Sequence, residues 1–155
     1  VQAAGWADRI TIDSAGTHAH WEGAPADERS AEHAARRGYD LSDLRARGLR
    51  ATDFARSDLL LVMDHTNLQA VLQRCPPEQA ARVRRLTAFC RRHDSAEVPD
   101  PYYGGAQGFE QVLDLIEDAC EGLLEHVQAQ WHGRLADGRA QQNRSRASRP
   151  ASTGS

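Results

Sequence analysis

The chain has 155 residues, with 22 Asp and Glu against 19 basic residues that are all Arg, and a length in this range buries one core without help from disulfides or metals. Charge is uneven along it: residues 1–127 hold 14 Arg against 21 acidic side chains, while residues 128–155 hold 5 Arg against 1 Asp. An acidic body excludes a broad nucleic-acid surface, so any phosphate site has to be a local arrangement of amides and one or two Arg.

Arg9-Ile10-Thr11-Ile12-Asp13 is short and rich in β-branched residues, which predicts a strand entering the loop Ser14-Ala15-Gly16-Thr17. That loop runs to about Pro25. Asp27 to Arg37 predicts a helix with Asp27 as N-cap, a narrow apolar face of Ala31, Ala34 and Ala35, and Gly38 just past its end. Asp58 to Asp64 has an uninterrupted apolar centre, as suits a parallel strand covered on both faces. Leu68, Val71 and Leu72 then share a helical face, and Pro76-Pro77 stops that helix. Val83 to Phe89 is a weaker strand candidate. From Phe109 to Val127 a longer helix is expected, with Phe109, Val112, Leu113, Ile116, Cys120, Leu123, Leu124 and Val127 on its apolar face. Strands alternating with helices imply βαβ units and a parallel α/β sheet. Residues 1–130 are therefore expected to form the domain, and the polar, aperiodic segment 131–155, rich in Arg and Ser, to be a disordered tail.

Cys75, Cys90 and Cys120 are an odd set without CxxC or Cys/His spacing, so no disulfide framework, zinc site or other metal site is indicated, and a reducing cytoplasm is the expected compartment. No apolar run is long enough to cross a bilayer, and the opening VQAAGWADRI has neither a basic nor an apolar leader region, so no membrane partner is expected.

The chemistry-bearing residue that stands out is Asp100. It precedes Pro101, which holds it on rigid extended chain, and the aromatic neighbours Tyr102 and Tyr103 are placed to limit solvent access and raise its pKa. Taken alone, DPYYGG also suits a plain turn whose Asp caps the next helix.

Three stretches, IDSAGT at Ile12 to Thr17, LLLVMD with NL soon after at Leu59 to Leu68, and VPDPYYGG at Val98 to Gly105, resemble the low-molecular-weight protein tyrosine phosphatases in order and spacing. The resemblance covers about residues 6 to 127. It implies a Rossmann-like four-stranded parallel sheet of order 2-1-3-4 flanked by helices, and hydrolysis of phosphotyrosine through a cysteinyl-phosphate without cofactor. By the same resemblance Asp100 is the general acid and then base, Tyr102 and Tyr103 wall the substrate slot, His20 and Trp21 are candidates for the opposite wall, and Ser14 braces the phosphate loop. Many relatives have a bracing His where Leu44 stands, and the nearby Arg45 and Arg47 read as a solvated face rather than an anion site.

One element of the pattern is absent. Family members open with a strand, a Cys-x5-Arg-Ser/Thr loop and a helix, but the sixth residues after the three cysteines here are Ala81, Ala96 and His126. A first strand, phosphate loop and first helix, about 25 to 30 residues, are therefore expected upstream of Val1, and the 155-residue chain alone is expected to be inactive and poorly folded. Substrates implied are phosphotyrosine proteins, including the autophosphorylated tyrosine kinases on which bacterial relatives often act. Two rivals carry less of the sequence. An arsenate reductase of the same fold adds two resolving cysteines close together, whereas Cys75 and Cys90 are 15 residues apart and Cys90 follows an apolar stretch that suits a buried structural thiol. A non-catalytic remnant or binding module leaves Asp100, Tyr102 and Tyr103 without a purpose.

Overall fold

The computed structural model describes residues 1–18, 21–101 and 104–147, with the backbone alone for 145–147. Its elements in chain order are α1 (Glu28–Arg36), α2 (Ala51–Arg56), β1 (Leu60–Val62), α3 (His65–Arg74), a 3₁₀ turn (Pro77–Arg82), β2 (Val83–Arg85), a second 3₁₀ turn (Leu86–Phe89) and α4 (Gly105–Ala147).

The two strands run parallel, with Leu60 opposite Val83 and Val62 opposite Arg85, and α3 forms the crossover between them. The strand alternation sorts the core into two layers. Leu60, Val62 and Val83 pack with Phe54 of α2 and Val71 of α3 on one side. Leu61 meets the other cluster, built from Leu86, Val98 and the α4 residues Val112, Leu115 and Ala119. β1 is thus covered on both faces, as its apolar sequence requires.

Local signals explain the helix ends. The Asp27 carboxylate accepts from the Ser30 N–H at 3.0 Å and starts α1, and Gly38 follows it with φ 85°. α1 docks on α4 through the buried His33, whose ring stacks on Phe109 at 5.0 Å, and through Arg37, which reaches Glu110, Asp114 and Glu117.

Several expectations are corrected. Ile10 to Asp13 joins no ladder among the described residues, and Ile12 is 73% exposed; the described sheet has two strands, where three of the family's four were expected within this chain. Val83–Phe89 stops being a strand after Arg85 and continues as the 3₁₀ turn, in which Leu86, Thr87 and Phe89 are buried. On α1 the buried pair is His33 and Ala34 while Ala35 is exposed, and on α3 Leu72 is exposed. The buried line of α4 runs Phe109, Val112, Leu115, Asp118, Ala119 and Gly122, turned away from Cys120, which is exposed.

The tail expectation also changes. Residues 131–147 are helical, a continuation of α4. Helix extension needs no fresh nucleus once the packed half is formed, and Ala, Gln, Leu and Arg sustain it. Trp131 and His132 meet the buried Trp6 edge-on at 6.2 and 5.8 Å; from Gly133 to Arg144 every residue is exposed.

Candidate active site

Three loops meet beyond the carboxyl end of β1, the end at which open α/β sheets place their ligands. The first follows Asp13. The Ser14 N–H donates to Asp13 Oδ1 at 2.8 Å, and the chain is then laid along residues 45–49. Gly16 N–H donates to the Arg47 carbonyl at 2.8 Å and Leu49 N–H to the Gly16 carbonyl at 2.9 Å, a parallel bridge between Gly16 and Gly48. A second bridge joins Pro25 to Arg45.

Arg47 fastens this loop from beneath. Its guanidinium grips both oxygens of Asp53 at 2.9 and 3.0 Å and reaches Asp13 Oδ2 at 2.8 Å. The Arg47 hydrogen bonds hold the Asp13 and Asp53 carboxyls below the usual carboxylate range, and the two carboxylates push the arginine's own pKa up. The expected solvated face is therefore corrected for Arg47, which is half-buried and fully engaged, while Arg45 is exposed and donates to the carbonyls of Ser42 and Leu44. A hollow of about 330 Å³ lies against the loop, lined by Ser14, Gly16, His18, Trp21, Glu22 and Arg47 among others. Two sequence candidates, Ser14 and Trp21, share it, and Trp21 is 77% exposed.

The second loop leaves β1 at Met63. Asp64 caps α3 by accepting from the Asn67 N–H at 2.7 Å. The side chain of Asn67 then bridges the loops: its Oδ1 accepts from Met63 N–H at 3.4 Å and its Nδ2 donates to Thr17 Oγ1 at 3.5 Å.

The third loop carries Asp100. Val98 is buried, and its N–H donates to the Met63 carbonyl at 2.7 Å; Glu97 Oε1 accepts from the His65 N–H at 2.8 Å. Asp100 follows, exposed, two residues beyond that strap. Gly104 N–H donates to the Pro101 carbonyl at 3.0 Å, and Gly105, with φ 60°, turns the chain into α4. Tyr102, Tyr103 and His20 lie outside the described residues.

IDSAGT, LVMD with Asn67, and VPDP are thus brought together although they lie far apart in the sequence. Asn67, from the NL pair of the second motif, and Glu97 supply side-chain contacts between the loops that the sequence alone does not specify.

The parallel β1–β2 pair with α3 as its crossover places the domain in the α/β class. The sequence profile of the low molecular weight phosphotyrosine protein phosphatases matches residues 1–132. A putative low-molecular-weight protein-tyrosine-phosphatase of Synechocystis is 42% identical over 125 residues, covering 80% of this chain and 79% of the relative. That of Streptomyces coelicolor is 41% identical over 143 residues, covering 88% and 84%. Among solved structures, a protein tyrosine phosphatase of Entamoeba histolytica superposes with TM-score 0.80 at 36% identity, covering 83% and 81%. YfkJ of Bacillus subtilis does so with TM-score 0.77 at 31% identity, covering 83% and 80%. The chain belongs to the low-molecular-weight protein-tyrosine-phosphatase family.

Proposed function

We propose that this chain carries the general-acid and substrate-wall half of a phosphatase that hydrolyses phosphotyrosine through a cysteinyl-phosphate, its nucleophile being borne on a Cys-x5-Arg segment that the 155 residues do not contain. The observation that carries this is the strap from Val98 N–H to the Met63 carbonyl, which holds the chain leading to Asp100 at the carboxyl end of β1, where Asn67 reaches Thr17 of the first loop.

In this reaction the cysteine thiolate attacks phosphorus as the bond to the phenolic oxygen breaks. Asp100 gives its proton to that oxygen, since an unprotonated phenolate leaves poorly. The Asp100 carboxylate then takes a proton from the water that attacks the cysteinyl-phosphate, which releases inorganic phosphate and the thiolate. Tyr102, Tyr103, His20 and Trp21 wall the ring of the substrate, and Ser14 braces the phosphate loop. The Cys-x5-Arg strand takes its place between Ile10–Asp13 and β1, giving the order 2-1-3-4. In favour of that position, Ile10–Asp13 has no ladder partner among the described residues and β1 pairs on one side only, with β2. Substrates are phosphotyrosine proteins in the cytoplasm, an autophosphorylated bacterial tyrosine kinase among them.

Joined to a segment of the Cys-x5-Arg-Ser pattern, the chain is expected to hydrolyse p-nitrophenyl phosphate in the presence of a chelator. Asp100→Asn should then lower kcat by about 10² to 10⁴ with KM nearly unchanged, as for loss of a positioned acid. Unchanged turnover in that variant would remove Asp100 from the role.

A further inference from the structure

The segment that carries Asp100 leaves the 3₁₀ turn at Phe89 and returns to α4 at Gly105, and its first residues are held by one buried group. Asp118 of α4 has no solvent exposure. Its carboxylate accepts from three consecutive backbone N–H groups, Arg91 at 3.0 Å, Arg92 at 2.9 Å and His93 at 2.9 Å, and faces His93 Nδ1 at 2.8 Å. The Arg92 guanidinium stands 3.9 Å away. Burial pushes the Asp118 pKa up, but the Arg91 amide, the His93 ring and the other two amides more than reverse this, so the group stays ionised well below the usual range.

A carboxylate in this place is a poor device for stability alone, since an apolar side chain avoids its desolvation. What it does supply is a fixed path for the backbone, because three successive amides converge on two oxygens. With the straps at Glu97 and Val98 and the turn at Gly104, the stretch from Arg91 to Gly105 is anchored before, beside and after Asp100. We propose that Asp118 is a positioning residue for Asp100, holding through the Arg91–His93 backbone the segment that presents the acid to the leaving oxygen. This rests on the phosphatase reading above. A shift of about 1 Å at a reacting group costs on the order of 10²-fold in rate, so a loosened segment should tell where the acid is needed and nowhere else.

The leaving group provides that discrimination. In the chain joined to the Cys-x5-Arg segment, Asp118→Asn should lower kcat/KM, which reports the step that expels the phenol, about 10- to 100-fold on phenyl phosphate, whose phenolate must be protonated. On 2,4-dinitrophenyl phosphate, whose phenolate leaves unaided, kcat/KM should stay within about threefold. Combined with Asp100→Asn, it should add no further loss. Equal losses on the two substrates, or additive losses in the double variant, would overturn the proposal. His93→Ala removes one contact of the four from a side chain 41% exposed, so it keeps the test open if Asp118→Asn does not fold. The same pattern at smaller amplitude is expected, and equal loss on both substrates would again overturn it. Amide hydrogen exchange in the joined protein separates the two proposals. Exchange of the Val98 N–H should accelerate at least about tenfold in Asp118→Asn while that of α3 is unchanged. Normal exchange there would sink the positioning role, whereas a joined protein without phosphatase turnover would sink the functional reading alone.

Discussion

Arg47 satisfies Asp13 and Asp53 at once and thereby ties the Ser14 loop to the start of α2. Arg47→Met should destabilise the protein by about 1–2 kcal/mol, the cost of charge-assisted hydrogen bonds lost at a half-buried site. It should also change the pH dependence. Both carboxyls have folded pKa values lowered from 3.8, so the stability they contribute is present above their unfolded pKa and lost as pH falls through the lower folded values. Thermal melts from pH 7 down to about 2 should therefore show a shallower acid decline in the variant than in the parent. A decline of equal steepness would mean that the Arg47 pairs do not stabilise the fold. Asp100 stands out in the sequence because a short local motif encloses it, and its role as the acid is proposed. Arg47 was not, since its partner Asp13 lies 34 residues away, and a composition of unpaired charges looks solvated until the fold brings them together.

At the scale of elements, caps and periodicity were the reliable signals. Asp27 and Gly38 bound α1 as expected, and Pro76 follows the end of α3 at once. The orientation of α4 was less legible because Leu113, Ile116 and Leu123 sit at the margin of the buried line and carry the same apolar signal as its centre. Its centre is marked by Gly122, where a Cβ would overlap the carbonyl of Phe89 in the second 3₁₀ turn. That overlap is with backbone, which cannot swing aside, so Gly122→Ala should cost about 1–3 kcal/mol as overpacking despite its better helix propensity. Chemical denaturation would check this, and a stabilised variant would contradict the close approach of α4 to that turn. The missing ladder at Ile10–Asp13 has a related origin: β-branched composition states what fits a sheet, while a strand exists only where a neighbour pairs with it.

For the whole molecule, the division of charge in the sequence matches a division in structure, an acidic packed body and a basic helix that leaves it. Trp131 and His132 still meet Trp6, but residues 133–144 are exposed throughout. Deleting residues 133–155 should therefore leave the melting temperature nearly unchanged, and leave the kcat of the joined protein unchanged too. A fall of several degrees would place the extension in contact with the body. Asp100 and the substrate walls are proposed to act with a nucleophile from a separate Cys-x5-Arg segment. Release of p-nitrophenol from p-nitrophenyl phosphate, followed side by side for residues 1–155 alone and for the same residues joined to that segment, tests it most directly. Background rate from the first and metal-independent turnover from the second is the predicted result; turnover by residues 1–155 alone would contradict the cysteinyl-phosphate mechanism.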